Sequence, residues 1–397
     1  MKSINEHNFK GERALIRVDY NVPLNEKFEV TDTTRIERTR ETINKILGDG
    51  GSVILLSHLG RPKGEAKDEF SLRHIVGKVS EILEKDVIFG GDVLSEEAVT
   101  VCSNLKPGEV ALMENLRFHK EEEKGDAGFA ESIARLGDVY VNDAFGTAHR
   151  EHASTATVAR FFNGKAFAGF LMYNEVMNLE KTLNGQVRPF TAIIGGSKVS
   201  TKINILKNLL HKVDNLVVGG GLSYTFLKAM GLEIGNSLFE PDMLDVAKDI
   251  LKEVDKTGVN FVVRLDSVCA DRFSNDANIL IPNDNNIPEG WEGLDIGPKS
   301  RRNIAQVIKN SNTILWNGPV GVFELENFSK GTRAVALSVA AATLAGAYSI
   351  VGGGDSIAAI NKYDLGDYIS YISTGGGAML EYLEGKELPG VKALNEN

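Results

Sequence analysis

Residues 191–202 read TAIIGGSKVSTK, and a segment with helical apolar periodicity follows them directly. The apolar run predicts a strand over Thr191–Ile194, the glycines predict a turn, and the periodicity predicts a helix over Ile203–Val213. Because Lys198 and Lys202 are four residues apart, we expect them to share one helix face near its start. Two cations there oppose the helix dipole unless a bound anion compensates, and phosphates commonly bind at such positions. This stretch therefore predicts a parallel α/β sheet with an anion site at a helix start.

The same alternation of apolar runs and helical patterns extends in both directions from this stretch. The predicted strands are Ala14–Val18, Ser52–Leu56, Val110–Met113, Val139–Val141, Thr191–Ile194, Asn215–Val218, Asn260–Leu265, Thr313–Leu315 and Tyr348–Val351. The predicted helices are Ile36–Leu47, Leu72–Leu83, Phe129–Leu136, Ile203–Val213, Asp242–Val254 and Thr332–Leu344. Strands that are continuously apolar and lie between helices are typical of parallel sheets covered on both faces. The pattern predicts an α/β fold with doubly wound parallel sheets.

A polar helical segment, Asn174–Leu183, divides the pattern near the middle of the 397-residue chain. It is followed by the charged, proline-containing stretch Gln186–Pro189, and a helix of such polarity can connect two lobes across solvent. We therefore expect a first lobe over 1–172, a hinge helix and linker over 173–189, and a second lobe over 190–380. A single larger domain with one more surface helix is the alternative.

Composition restricts the class of protein. Apolar residues make up 42% of the chain, and 44 basic against 54 acidic residues give a formal charge of −10. This is a globular composition, and its acidity argues against nucleic acid as a partner. The start lacks an apolar signal segment, and no apolar run approaches the ~20 residues of a membrane span. Cys102 and Cys269 lie far apart and suggest neither a disulfide framework nor a zinc site. We expect a cytoplasmic protein with no membrane partner.

Basic residues of the first half follow the predicted strands. Ligands of parallel α/β sheets bind beyond the carboxyl ends of the strands, so these side chains are expected along one rim. Arginine suits phosphate and carboxylate because its planar fork donates paired hydrogen bonds. Separate surface ion pairs are the alternative for any one arginine. The basic residues of this rim are Arg35, Arg61, Arg117, Arg150, His58, His149 and His152.

Glycine-rich turns follow the predicted strands of the second half. They occur at 195–196, 219–221, 352–354 and 375–377, and glycine lets backbone amides approach a ligand closely. Asp355 lies at a strand end and a helix start, where it suits either an N-cap or a Mg²⁺ ligand beside phosphates. The glycine spacing fits neither a Walker A loop nor the Rossmann dinucleotide motif, so a nicotinamide-dependent oxidoreductase is disfavoured.

The motifs together resemble the phosphoglycerate kinase family over nearly the whole chain. In family order they are RVDYNVP at 17–23, SHLGRP at 57–62, ENLRF at 114–118, NDAFGTAHR at 142–150, KVSTK at 198–202, WNGP at 316–319 and GGGDS at 352–356. The resemblance implies two Rossmann-like lobes joined by a hinge helix, which close before reaction. It implies reversible phosphoryl transfer between 1,3-bisphosphoglycerate with ADP and 3-phosphoglycerate with ATP, using Mg²⁺, in a monomer.

The resemblance also assigns roles to individual residues. The first lobe, joined by the tail 381–397, would bind the glycerate, with Arg35 nearest the chemistry; Lys198 would bridge the transferring group with the amides of Gly375 and Gly376, and Asp355 would bind Mg²⁺. The glycerate-binding residues implied are Asp19, Asn21, Arg35, His58, Arg61, Arg117 and Arg150. The nucleotide-binding residues implied are Gly195, Lys198, Lys202, Gly220, Gly221, Gly293, Leu294, Asn317, Glu324, Gly353, Gly354, Asp355 and Ser356.

Three positions depart from the family's usual residues. Tyr20 replaces Phe or Leu, Ser197 replaces Ala, and Thr201 replaces Asp, which removes a carboxylate between Lys198 and Lys202. Two alternatives to the implied activity stay open at the level of sequence. One is a phosphotransferase of the same fold that acts on another carboxylate, and the other is a nucleotide-binding protein without catalysis.

Overall fold

A computed structural model describes residues 1–185 and 187–397. The chain forms two compact units. Unit 1 comprises Met1–Met177 and Glu387–Asn397, and unit 2 comprises Asn178–Lys386. Gln186, which belongs to the predicted linker Gln186–Pro189, lies outside the described residues.

Each unit is built on one six-stranded sheet in which all neighbouring strands are parallel. The strands of unit 1 are β1 Arg13–Arg17, β2 Ser52–Leu56, β3 Val87–Phe89, β4 Val110–Leu112, β5 Val139–Asn142 and β6 Ala166–Ala168. Those of unit 2 are β7 Phe190–Ile194, β8 Asn215–Val218, β9 Asn260–Val262, β10 Ser267–Ala270, β11 Ile279–Leu280, β12 Glu292–Ile296, β13 Thr313–Asn317, β14 Tyr348–Gly352 and β15 Tyr371–Ser373.

Strand order shows the doubly wound arrangement. The sheet of unit 1 has the order β3-β4-β2-β1-β5-β6, and that of unit 2 has the order β15-β14-β13-β7-β8-β9. Strands β10, β11 and β12 form a separate antiparallel sheet in unit 2, which the sequence pattern does not predict. Central strands such as β2 and β7 are buried at every residue, as expected for a sheet covered on both faces. The predicted α/β class with two parallel sheets is confirmed.

Helices connect the strands. They are α1 Thr34–Glu37, α2 Arg40–Gly48, α3 Val76–Leu83, α4 Glu96–Asn104, α5 Lys120–Glu123, α6 Ala127–Ala134, α7 Phe170–Leu183, α8 Ile203–Leu209, α9 Leu222–Ala229, α10 Leu244–Thr257, α11 Pro298–Lys309, α12 Lys330–Leu344, α13 Gly354–Lys362, α14 Gly377–Leu383 and α15 Pro389–Asn395. Short 3₁₀ turns cover Ile4–Glu6, Asp68–Phe70, Leu72–Ile75, Leu116–Phe118, Phe145–Thr147, Thr157–Phe161, Pro241–Met243, Glu326–Phe328 and Gly366–Tyr368. None of the helices in the described ranges has the length and apolarity that a membrane crossing requires.

Several predicted helices have different bounds in the structure. The predicted helix Ile36–Leu47 is two helices, α1 and α2, because the chain turns at Arg38 and Thr39. The predicted helix Leu72–Leu83 begins as a 3₁₀ turn and becomes α-helical only from Val76. The predicted hinge segment Asn174–Leu183 is the second part of α7, and the division between the units falls at Met177 within this helix.

The C-terminal segment completes unit 1. The amide of Gly390 donates to the carbonyl of Ala148 at 2.8 Å, and Leu394 is buried. Residues 381–386, which we had expected to belong with this tail, are part of unit 2. The tail therefore adds apolar packing to unit 1 from a point far away in the sequence.

We expect Leu394→Ala to destabilise unit 1 by about 2–5 kcal/mol, because it leaves a cavity under α15. Hydrogen exchange should rise in peptides of β6 and Thr157–Phe161, which pack against α15, and stay unchanged in β13. Lys392→Ala, on the exposed side of the same helix, is the control. Faster exchange in β13 with unchanged exchange in β6 would contradict the placement of the tail.

Candidate functional site

The residues of the first half that were predicted to bind an anion lie beyond the carboxyl ends of neighbouring strands β1, β2, β4 and β5. Asp19 follows β1, and its carboxylate binds the half-exposed guanidinium of Arg35 at 2.8 Å. His58 follows β2, and its Nδ1 lies 3.8 Å from the other oxygen of Asp19. The side chain of Asn21 accepts the amide of Gly60 at 2.8 Å. The structure thus brings the loops after β1 and β2 together.

Arg117 joins the same cluster from the loop after β4. It is only 3% exposed, and its Nη1 donates to the carbonyl of Gly60 at 2.9 Å. Burial, with the nearby charges of Arg150 and Arg17, lowers the pKa of Arg117 to about 10. Its Nη2 has no hydrogen-bond partner among the residues that the structure describes. A buried guanidinium with a free donor is suited to an anionic ligand.

The pKa values of two buried histidines reflect burial and the positive charge around them. Burial lowers the pKa of His58 well below its usual value, and Arg17, Arg117, Arg150 and Arg35 lower it further. Burial and the positive charges of Arg117, Arg17 and Arg150 lower the pKa of His152 to about 3. Both rings are therefore neutral near pH 7, so the positive charge of this cluster comes from its arginines.

The remaining predicted residues of the rim are less closely integrated. The Nε of Arg150 donates to Nε2 of His149 at 3.2 Å, which places Arg150 beside the loop after β5. Arg61 is exposed, and within residues 1–185 and 187–397 it forms no hydrogen bond or ion pair. Contacts within the chain therefore support the assignment of Arg61 less than that of the other arginines.

Arg17, which is completely buried at the end of β1, was not predicted as a site residue from the sequence. Its Nη2 lies 3.1 Å from Nδ1 of His58, its Nε donates to Oγ of Ser154 at 2.8 Å, and its Nη1 donates to the carbonyl of Val18. The signal was present in the sequence. A charged residue inside an otherwise apolar strand of a doubly covered sheet must be buried, and buried charges require partners.

The glycine-rich turns of the second half also meet at one sheet edge, because they follow the adjacent strands β15, β14, β13, β7 and β8. The ammonium of Lys202 donates to the side-chain oxygen of Asn317, and the Asn317 amide donates to the carbonyl of Gly352 at 2.9 Å. The hydroxyl of Ser356 accepts the amide of Gly318 at 2.6 Å. These contacts join the turns after β7, β13 and β14.

Lys198 and Lys202 do not share a helix face, so this prediction is wrong. Helix α8 begins only at Ile203, and both lysines lie in the turn before it. The hydroxyl of Thr201 donates to the carbonyl of Lys198 at 3.0 Å and closes this turn. Burial lowers the pKa of Lys202 to about 8, against an opposing effect of Asp355. The lysine therefore lies in a desolvated position within the field of that carboxylate.

Asp355 lies in the first turn of α13, and the preceding cap position is Gly353, so an N-cap role for Asp355 is excluded. Gly353 has φ +91°, and a β-carbon there would crowd the Asn317 side chain. Gly376 has φ +51° and immediately precedes α14, while the amide of Gly375 donates to Ser373 Oγ at 3.2 Å. Glycine is therefore required at Gly353 for both its conformation and its contacts.

A cavity of about 680 Å³ opens beside these turns in unit 2. Its lining includes residues predicted to bind nucleotide, namely Gly220, Gly221, Gly293, Leu294, Glu324 and Asp355. The lining also includes Gly196, Ser197, Tyr224, Leu238, Arg264, Phe273, Glu292, Pro319, Gly321, Val322 and Leu325. The wall is mainly apolar, with carboxylates at separate points, as is common for small-molecule sites. Gly195, Lys198, Lys202, Asn317, Gly353, Gly354 and Ser356 are not part of this lining.

The framework under the cavity was not predicted from sequence. Arg264 is buried and donates to the carbonyl of Gly220 at 2.9 Å and to Ser223 Oγ at 3.0 Å. Its guanidinium also stacks on the ring of Tyr224, 4.0 Å from the ring centroid. A β-carbon at Gly293 would overlap the hydroxyl of Tyr224, so Gly293 leaves room for this ring. These residues come from separate elements, and no motif of the sequence connects them.

No group of three or more metal-binding side chains occurs in the described part of the chain. Two exposed carboxylates, Asp355 and Glu324, line the cavity of unit 2, and Asp355 lies in the first turn of α13 beside the glycine-rich turns. Magnesium in kinases is commonly held by one or two carboxylates together with substrate phosphates, so the residues present fit Mg²⁺ that arrives with a nucleotide.

Comparison with known proteins identifies the family of the chain. A profile of the family "Phosphoglycerate kinase" matches residues 4–386. Phosphoglycerate kinase of Porphyromonas gingivalis is 50% identical over 417 aligned positions, covering 99% of each chain. That of Chloroherpeton thalassium is 49% identical over 394 positions, again covering 99% of each chain.

Solved structures give the same result. The structure of phosphoglycerate kinase from Coxiella burnetii matches with a TM-score of 0.92 and 42% identity, covering 99% of this chain and 98% of that one. Phosphoglycerate kinase from Pyrococcus horikoshii matches with a TM-score of 0.83 and 29% identity, covering 100% and 98%. The chain belongs to the phosphoglycerate kinase family.

Proposed function

We propose that the arginine cluster of unit 1 binds the phosphoglycerate and that the glycine-rich edge of unit 2 binds the nucleotide. The enzyme, a phosphotransferase with a carboxyl-group acceptor, acts in glycolysis and transfers a phosphoryl group reversibly between 1,3-bisphosphoglycerate with ADP and 3-phosphoglycerate with ATP. The assignment of one substrate to each unit rests on a difference in chemistry between the two units. Unit 1 gathers several arginines at one sheet edge, with Arg17 and Arg117 buried, whereas unit 2 has a largely apolar cavity and a half-buried lysine, Lys202, at its sheet edge.

The chemistry requires little proton transfer. In the ATP-consuming direction the acceptor is a carboxylate, which is ionised near pH 7 because such groups titrate near pH 4. The protein must instead position two polyanions and stabilise charge on the transferring group. Arginines, lysines and backbone amides perform that task, and the neutral His58 serves as a hydrogen-bond donor and not as a base.

On unit 1, Arg35, Arg117 and Arg150 supply charge for the carboxylate and phosphate of the glycerate. The proposed glycerate-binding residues are Asp19, Asn21, Arg35, His58, Arg61, Arg117 and Arg150. Asp19 holds Arg35 in place through their ion pair, and Asn21 fixes the loop that carries Gly60. Arg35 is half-exposed and held by Asp19, which leaves its guanidinium both positioned and accessible to a charge that moves in the reaction.

On unit 2, the cavity accepts the adenosine, with Gly220, Gly221, Gly293 and Leu294 at the base and Glu324 at the ribose. The nucleotide phosphates lie near Gly195, Lys202, Asn317, Gly353, Gly354 and Ser356. Lys198, Gly375 and Gly376 contact the transferring phosphoryl group. Support comes from the contacts that join the turns after β7, β13 and β14 around Lys202.

Asp355 would hold Mg²⁺ together with the nucleotide phosphates. When bound, the metal neutralises phosphate charge during transfer. Lys202 lies near Asp355, which acts on its pKa, and supplies a second positive group below about pH 8.

A monomer in the cytoplasm completes the proposal. Each proposed binding edge is formed by residues of one unit of a single chain, so no second copy is needed to complete it. Cys102 and Cys269 are free and buried, which suits a reducing compartment. The acidic net charge of −10 gives no support for nucleic acid as a partner.

Arg35→Ala should lower kcat for ATP-dependent phosphorylation of 3-phosphoglycerate by about 100-fold or more, because it removes a positive charge that would stabilise the transferring phosphoryl group. Affinity for ADP should be unchanged. Arg40→Ala, which removes an exposed ion pair with Glu84, is the matched control. A coupled assay and ADP titration measure both quantities. Normal turnover in Arg35→Ala would refute the assigned role.

Asp355→Asn should raise the Mg²⁺ concentration needed for half-maximal activity by about tenfold or more, since one carboxylate ligand is lost. Affinity for 3-phosphoglycerate should not change. Asp367→Asn, an exposed aspartate in a 3₁₀ turn of the same unit, is the control. If both substrates were weakened equally, Asp355 would not be the metal ligand.

The affinity for ATP should fall as the pH rises above about 8. The pKa of Lys202 in the free enzyme is lowered to about 8, so the ammonium deprotonates there, whereas bound phosphates favour its charged form. Binding is therefore linked to proton uptake at high pH. Lys202→Arg keeps its charge and should remove this rise in KM between pH 7 and 9.5. An identical pH profile in both enzymes would contradict this role of Lys202.

A further inference from the structure

Arg17 carries a charge that is completely buried at the end of β1. Arg17 is 0% exposed, and no ion pair of Arg17 with an acid occurs within 4.0 Å in the described ranges. Its donors go to Ser154 Oγ, to the carbonyl of Val18 and to Nδ1 of His58. An unpaired buried charge is costly, so its compensation must come through one of these neutral groups.

Ser154 connects Arg17 to Glu122. The hydroxyl of Ser154 donates to Oε1 of Glu122 at 2.6 Å, and the amide of Ser154 donates to Oε2 at 3.0 Å. A hydroxyl has one proton, so Ser154 Oγ must accept from Arg17 when it donates to Glu122. Glu122 is 0% exposed, which makes it the buried negative charge at the end of this chain of hydrogen bonds.

The chain of hydrogen bonds fixes the state of His58. A guanidinium only donates, so Nδ1 of His58 accepts from Arg17 and the ring proton lies on Nε2. The ring cannot gain a second proton at Nδ1 without losing the bond to Arg17. Glu122 also acts on the rest of the cluster, since it opposes the lowering of the Arg117 pKa and lies 4.0 Å from Nδ1 of His152.

We propose that Glu122, acting through Ser154 and Arg17, is a positioning residue that holds His58 as a neutral Nε2–H donor for the phosphoglycerate. The proposal rests on the glycerate site proposed for unit 1. It adds that the buried carboxylate of helix α5 orients Arg17 and thereby sets the tautomer of His58. Glu122 itself touches no substrate in this scheme.

The direct test is the tautomer of His58 in the ligand-free enzyme, read from long-range ¹H–¹⁵N spectra of the imidazole. We expect only the Nε2–H form in the unmodified enzyme, and a populated Nδ1–H form in Glu122→Gln and Ser154→Ala. Ser154→Thr keeps the hydroxyl and should keep the Nε2–H form. Glu121→Gln, on the exposed side of the same helix, is the control. The serine pair keeps the test valid if Glu122→Gln fails to fold.

Kinetics give the second readout. In Glu122→Gln and Ser154→Ala, kcat/KM for 3-phosphoglycerate should fall by about tenfold or more, since a small displacement of a binding group has such effects. KM for ATP should not change. If Glu122 has a purely structural role, both variants should lose thermal stability but keep the Nε2–H tautomer and the unchanged ratio of kinetic effects on the two substrates. An unchanged tautomer, or an unchanged kcat/KM for 3-phosphoglycerate, would overturn the proposal. The Arg35→Ala kinetics test the glycerate site separately, so failure of that site is distinguishable from failure of Glu122.

Discussion

The uniform direction of the strands is the constraint on which both candidate sites depend. Each six-stranded sheet is wholly parallel, so every strand ends at the same edge, and the loops after neighbouring strands are neighbours in space. Asp19, His58 and Arg117 are far apart in sequence, but they follow the adjacent strands β1, β2 and β4. The glycine turns of unit 2 are gathered by the same geometry. Two sheets of one architecture thus present different chemistry only because their loops differ.

The rule that ligands bind beyond the carboxyl ends of parallel strands explains which site residues could be predicted from the sequence. Apolar runs predicted the central strands, residue type at their ends proposed Arg117, Asp355 and the glycines as site residues, and Arg35 was proposed from its place at the start of a helix. Short edge strands such as β3 and β6, with three residues each, lack a pattern long enough to detect. The antiparallel sheet β10-β11-β12 was missed because β10 and β11 have only four and two residues, which is too short for a clear strand pattern.

Local geometry at helix starts was the other limit. The spacing of Lys198 and Lys202 fits a helix, yet the chain forms a turn there, and its Thr201 hydroxyl bonds the carbonyl of Lys198. Thr201, one of the positions noted above as departing from the motif of the resemblance, closes this turn through its hydroxyl. Backbone hydrogen bonds of this kind decide where a helix begins, and side-chain periodicity does not report them.

Buried charge links the stability of unit 1 to its function. A site made only of arginines would repel itself in the absence of ligand, and burial would increase the cost. Asp19 offsets part of this charge at the half-exposed Arg35, while Glu122 offsets it at the buried Arg17 through a hydroxyl. The indirect link has a consequence that a direct ion pair would not have. It leaves the other donors of Arg17 available for His58, so that one buried carboxylate can balance charge and orient a ring without occupying the space that the substrate needs.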